Sequence, residues 1–220
     1  MSKASNRPQR SISESDFAEI SRRVRSLEEQ WPLEVRVVAS SKGGQYALGA
    51  IRMLALVFVV AEFLTWGLWV AVPSWAFHAL ILGLLFLGGA GLGRLPLARF
   101  FTSKGERAES VERRAHLAFA KAGVSQTTGR NGLLLYFSLP EKMFFLLPDT
   151  PLARLLPAEE WRGSVEGLGE ALRSAPTGRA LPAAVLHLLD DLEAKARKVL
   201  PARGAHDSSN ELPDAIIFED

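Results

Sequence analysis

The sequence predicts an α/β protein, a small sheet flanked by helices, with a two-helix transmembrane hairpin inserted after the first strand. Three observations lead there. Amphipathic helical stripes and β-branched runs alternate on both sides of a central block, and one helix with one strand cannot bury its apolar faces alone. Between Arg52 and Gly93 the only charges are Arg52 and Glu62, although the flanks are rich in Lys, Arg, Asp and Glu. That block is long enough for two bilayer spans. Over 220 residues the charge nearly cancels at +2, so no global field draws the chain to nucleic acid. Cysteine is absent, which excludes disulfides, thiolate metal ligands and a cysteine nucleophile.

Along the chain, residues 1–12 are polar and basic without an apolar run, and are expected to form a disordered basic tail rather than a cleavable signal. Ser13 then caps a helix whose first turn is acidic and whose staple residues are Ile12 and Phe17. Phe17, Ile20, Val24, Leu27 and Trp31 recur at spacings of three and four, and Pro32 ends the run. Glu34-Val-Arg-Val-Val-Ala-Ser40 follows as a strand.

The apolar block supplies two helices. Met53 to Val72 is about 30 Å of helix at 1.5 Å per residue, the thickness of a bilayer's hydrocarbon, and Trp75 to Gly93 nearly repeats it. Only Pro73 and Ser74 separate them, so the spans run antiparallel. Trp66, Trp69, Trp75 and Phe77 mark the far interface. Lys42 and Arg52 precede the hairpin and Arg94, Arg99, Lys104 and Arg107 follow it, while the turn has no cation. The positive-inside rule therefore puts both termini and the soluble domain on the cytoplasmic side of the cytoplasmic membrane. Glu62 is an intramembrane carboxylate, either a cation, proton or partner site or a carboxyl group satisfied within the protein. Gly89-Ala-Gly-Leu-Gly93 offers a small-xxx-small face for packing against a second copy or another membrane protein.

After the hairpin, a helix over about Glu106 to Ala122 turns Val111, Ala115, Ala118, Phe119 and Ala122 to one side and ends at Gly123. Gly132-Leu-Leu-Leu-Tyr-Phe-Ser138 and Lys142-Met-Phe-Phe-Leu-Leu147 read as a strand hairpin across Leu139-Pro-Glu141. Two helices follow, striped by Trp161, Val165, Leu168 and Leu172 and by Leu181, Val185, Leu188, Leu189, Leu192, Ala196 and Val199. The split domain thus covers 13–50 and 105–203, the hairpin 51–95, and a linker with an ELPD tail 204–220. The membrane insert occupies the crossover between the first two strands.

This order, with Glu34-Val-Arg-Val-Val-Ala39, Asn131-Gly-Leu-Leu-Leu-Tyr-Phe-Ser-Leu139 and Asn210-Glu-Leu-Pro-Asp214, resembles the TPM domain family. That family is named after a thylakoid lumen protein, a photosystem repair protein and a nematode receptor modulator. The resemblance is to its bacterial membrane branch, in which a two-helix hairpin interrupts the domain, and covers Ile12 to Asp220. It implies acid phosphatase activity, calcium binding or an accessory and assembly role. In the family pattern an acidic residue precedes Asn-Gly and a Gly-rich turn follows the next strand. Here Arg130 stands before Asn131, and Pro148-Asp-Thr-Pro151 replaces the glycines, which removes a hard oxygen ligand from any cation site.

With the first strand leading into the membrane and the helix after the hairpin returning the chain to the start of the second strand, Arg130, Asn131 and Asp149 are expected to cluster at the sheet edge away from the bilayer. They form either a pocket for an anionic or phosphoryl group anchored by Arg130, or a stabilised turn with a surface ion pair. No catalytic set, metal site or resident cofactor is read from the residues. His187 and Asp191 have metal-compatible spacing but lie on a polar helix face. Arg22, Arg23, Arg25, Arg113 and Arg114 suit either anionic headgroups or a solvated face. In the tail, Glu211, Leu212, Pro213, Asp214, Ile216 and Phe218 are expected to make contacts, because Ala215-Ile-Ile-Phe218 is too apolar to stay exposed. The run folds back onto the domain or enters a partner. The expected partners are the lipid bilayer and a membrane or membrane-associated protein, with a homo-oligomer compatible.

Overall fold

A computed structural model describes residues 14–41, 46–67, 75, 79, 83, 96–174, 181–202, 212, 213 and 216–219. The chain forms two compact units, one of residues 1–42 with 112–220 and one of residues 43–111.

In the first unit, α1 (Glu14–Gln30) leads into β1 (Glu34–Ser40). The helix we label α3 (Lys104–Lys121) continues into this unit from the second and is followed by β2 (Gly132–Ser138) and β3 (Met143–Pro148). A short α4 (Thr150–Leu155), α5 (Ala158–Ser174), α6 (Leu181–Val199) and β4 (Ile217–Glu219) complete it. The four strands stand in the order β3-β2-β1-β4. β1 runs parallel to both neighbours, with Glu34 opposite Gly132 and Val38 opposite Ile217. β2 and β3 are the expected antiparallel hairpin.

Alternation assigns the two faces. Val35, Val37 and Ala39 of β1, Leu133, Leu135 and Phe137 of β2 and Phe144 of β3 form one core with Ile20, Val24 and Leu27 of α1, Trp161 of α5 and Val185, Leu188 and Leu192 of α6. Val38, Leu134 and Tyr136 on the other face are equally buried. α3 reaches that face, where Arg114 donates to the Ser40 hydroxyl at 2.8 Å. β2 is buried along its whole length, which is why its sequence is apolar at successive positions rather than alternate ones. Across the helical layer, Arg23 of α1 donates to Asp190 at 2.6 Å and to Glu193 at 2.5 Å on α6, so this arginine is engaged within the domain.

Several boundaries differ from the periodic pattern for local reasons. α3 begins before Glu106, because Ser103 and Glu106 form a reciprocal capping box: the Ser103 N–H donates to Glu106 at 2.8 Å and the Glu106 N–H to Ser103 Oγ at 3.2 Å. β3 begins after Lys142, whose φ of 53° is left-handed. Pro148-Asp-Thr-Pro151 is the end of a strand and the start of α4, with Asp149 as its N-cap and Pro151 in its first turn.

In the second unit, α2 (Ala47–Gly67) packs its first turns on a 3-10 helix over Pro96–Phe101. Tyr46, Ala50 and Ala98 form a small buried cluster. Gly49 permits the approach, since a Cβ there would lie 2.2 Å from the Ala98 carbonyl oxygen and 2.1 Å from Thr102 Oγ1. Thr102 Oγ1 in turn donates to Ala98 O at 2.8 Å. Arg52 grips Glu106 with two hydrogen bonds of 2.7 Å and donates to Phe101 O at 3.1 Å. The points where the chain enters and leaves the insert are therefore fastened together.

Among the described residues no helix is long and apolar enough to cross a membrane. The apolar part of α2, Met53 to Gly67, amounts to about 22 Å of the roughly 30 Å that a span needs. Most of the second expected span and its turn, residues 68–74, 76–78, 80–82 and 84–95, lies outside the described residues, as does the basic tail 1–12. The fold class holds at the level of a four-stranded mixed sheet with helices.

Candidate functional site

Arg130, Asn131 and Asp149 do meet, at the end of the sheet where β1 and β2 begin. The loop before β2 is drawn tight by a 3-10 turn over Val124–Gln126, and Gly132 is required there because a Cβ would lie 2.2 Å from the Val124 carbonyl oxygen. Arg130 closes the following turn, its N–H donating to Thr127 O at 3.0 Å, with a left-handed φ of 48°. From that position its guanidinium donates twice to Asp149, Nε to Oδ2 and Nη2 to Oδ1, both at 3.2 Å.

Asp149 is the buried partner and Arg130 the exposed one, their side chains 4% and 59% accessible. The Asp149 carboxylate also caps α4 by accepting from the Thr150 N–H at 2.7 Å, and its own N–H donates to Gly132 O at 2.8 Å. Arg130 first, and then the Thr150 N–H, hold this carboxyl below the ordinary aspartate value against the opposing effect of burial. Asn131 belongs to a different connection: its Nδ2 donates to Pro32 O at 3.0 Å, and its main-chain carbonyl accepts the Glu34 N–H at 3.2 Å. The three residues join the α1–β1 corner, the start of β2 and the start of α4. Chemically, the cluster holds an ionised carboxylate already bonded to three N–H groups and an exposed guanidinium. It can offer an anion the remaining N–H groups of Arg130; it cannot offer a cation a free carboxylate.

The other candidate residues fall elsewhere. Glu62 lies on α2, partly buried. His187 approaches Asp191 at 3.7 Å on the exposed side of α6. No group of three or more His, Asp or Glu among the described residues could hold a metal ion. An open cleft of about 340 Å³ beside α3 is lined by Arg114, Leu117, Ala118, Lys121 and Glu219, two cations and one carboxylate.

The tail takes the first of its two destinations and folds back. Ile216 is buried, β4 pairs with β1, and Phe218 meets Phe17 edge to face at 5.4 Å between ring centroids. Glu211 and Asp214 lie outside the described residues. Docking depends on residues not singled out in the sequence, Glu34 and Arg36, both buried in β1. Glu34 accepts the Leu212 N–H at 3.3 Å, and Arg36 Nη1 donates to the Pro213 carbonyl. A neighbouring buried carboxylate, Glu28, accepts the Val35 N–H at 2.7 Å. The two opposite charges stand two residues apart in a strand otherwise apolar except for Ser40.

No protein-family model and no curated protein matches the chain. Among solved structures it is similar to the NMR structure of BA42 protein from the psychrophilic bacterium Bizionia argentinensis, with a TM-score of 0.55 at 13% identity over 94% of this chain and 95% of that one. At that identity the likeness shows the fold alone.

Proposed function

We propose that the chain is a membrane-anchored, TPM-like accessory or assembly domain that holds a protein partner at the cytoplasmic face of the membrane. One observation carries the reading. Along α2, Leu48, Ile51, Leu56, Val57, Val59, Val60 and Phe63 are all exposed, several of them by more than half. Contiguous apolar surface of this kind marks a protein or membrane contact. The fastening of Arg52 to Glu106 and of Gly49 to Ala98 favours a hairpin, because it returns the chain to its starting point. Lipid covers part of this surface and the partner's membrane helices cover the rest, with Glu62 as a polar contact among them.

The test is extraction of the tagged chain from its native membrane in mild detergent, beside a variant in which residues 53–92 are replaced by a Gly/Ser linker. A stoichiometric membrane protein that copurifies with the intact chain and not with the variant supports the proposal. The rival, a membrane-bound acid phosphatase or divalent-cation-binding domain of the TPM type, would show itself in the same preparation. It requires hydrolysis of a chromogenic phosphoester, or calcium binding, that is lost in Arg130→Ala and Asp149→Ala. That result in a preparation with no partner would overturn the accessory reading.

A further inference from the structure

The edge of β1 carries the chemistry of a peptide-docking site. Glu34 and Arg36 point to the same face of a buried strand, two residues apart, and each binds a main-chain group of the tail: the Leu212 N–H and the Pro213 carbonyl. Beyond this clamp, Val38, Ala39 and Ser40 pair in parallel with Ile217, Phe218 and Glu219. Recognition is through backbone groups and a short strand ladder, the mode by which extended peptides add to sheet edges. Phe218 supplies the side-chain anchor, on Phe17.

Two features make the occupant exchangeable. The ladder to β4 spans three residue pairs, whereas that to β2 spans seven, so β4 is the most weakly paired strand of β1. An empty edge is nevertheless unfavourable, because buried Glu34 and Arg36 would lose the Leu212 N–H and the Pro213 carbonyl. The site therefore favours replacement of one segment by an equivalent one over standing open. The segment of equivalent chemistry is the same stretch of another chain.

We propose that the β1 edge, with Glu34 and Arg36 as its main-chain clamp, is a strand-docking site that Leu212, Pro213 and the strand Ile217–Glu219 occupy in cis and that the same residues of a second copy occupy in trans, giving a strand-exchanged dimer. The tether gives the chain's own tail an effective concentration of roughly millimolar, so the cis form prevails at low protein concentration.

The experiment uses the full chain and a fluorescein-labelled peptide of residues 210–220. Phe218→Asp loosens the chain's own tail, and this variant is expected to bind the peptide at least about tenfold more tightly than the wild type, whose tail competes. A peptide N-methylated at Leu212, which lacks the N–H that Glu34 accepts, is expected to lose that binding without any change to the protein. Arg36→Met in the Phe218→Asp background is expected to lose it as well, with far-UV circular dichroism confirming that the variant is folded. Wild-type chain at high concentration should contain a dimer that Phe218→Asp removes. A folded Phe218→Asp chain that does not bind the peptide, equal binding of the N-methylated peptide, or a chain that is monomeric at every concentration would overturn the proposal. So would a dimer that persists unchanged in Phe218→Asp.

Discussion

In β2, Leu133, Leu134, Leu135 and Phe137 are wholly buried, whereas on α2 Val59 is 61% exposed and Phe63 76%. Residues of the same chemistry have opposite fates in the two units. The sheet unit covers both faces of β2, α1, α5 and α6 lying over one and α3 reaching the other. The described residues of the insert leave several of their apolar side chains exposed. Its described contacts at the base are Tyr46, Ala50 and Ala98 in a small cluster, Gly49 against Ala98, Thr102 on a carbonyl and Arg52 on Glu106, while Leu56, Val57, Val59, Val60 and Phe63 further along α2 are exposed. Hydrophobic content must be matched to a covering surface. On our proposal, lipid and a partner cover the apolar surface of α2.

Paired truncations put this contrast to its most severe test. Leu135→Ala should lower the stability of the sheet unit by about 3 kcal/mol, the usual cost of a cavity in a closed core. Val59→Ala should change it by less than about 0.5 kcal/mol, as at exposed sites generally. Denaturant unfolding followed by circular dichroism separates the two, and equal effects would mean that α2 is covered by the chain itself. Next in size is Gly49→Val, which forces a side chain against Ala98 and Thr102 and should cost about 1–3 kcal/mol of local packing. Its readout is faster tryptic cleavage at exposed Arg99, with the sheet unit intact.

Asp149→Ala should cost about 1 kcal/mol through the lost N-cap of α4. Arg130→Ala should shift the denaturation midpoint by less, because its partner keeps the Thr150 N–H. A larger loss for Arg130 would show that the ion pair matters more than the cap.

The smallest effect is on acid stability. Arg52, followed by the Ser103 N–H, holds Glu106 at about 2 against an ordinary value of 4.5. Asp149 and Glu193 are depressed by Arg130 and Arg23 respectively. With the folded-state value below the unfolded one, the unfolded chain binds more protons between the two. The stabilisation is present above about pH 4.5 and is lost as pH falls toward about 2 for Glu106. Glu106→Gln should flatten the part of the acid transition that belongs to the base of the insert, and added salt should mimic it because the pair is exposed.

How much of this was legible in the sequence depended on element length. α1, β1, β2 and α6 appear within a residue or so of their expected bounds, because each has several repeats of its period. β4 has three residues and α4 six, too few for a pattern. The start of α3 was encoded in Ser103-Lys-Gly-Glu106, a local signal that the hydrophobic stripe does not contain. Of the candidate site, the meeting of Arg130 with Asp149 followed from topology, whereas the separate attachment of Asn131 to Pro32 required the α1–β1 corner in three dimensions. The clamp was hidden for a different reason. Charges in a strand ordinarily signal a solvated face, whereas Glu34 and Arg36 are buried and bound to the folded-back tail.

The proposed function stands or falls on whether the insert crosses the membrane and returns. The chain has no cysteine, so single thiols can be placed at will. Ser74→Cys, in the expected turn, and Ser125→Cys, in the sheet unit, would be exposed in intact spheroplasts to a membrane-impermeant maleimide, and the membranes then washed with alkaline carbonate. A membrane hairpin requires that Ser74→Cys is labelled in intact cells, that Ser125→Cys is labelled only after lysis, and that both chains stay in the washed membrane. Chains released by the wash, with both positions protected until lysis, would contradict it.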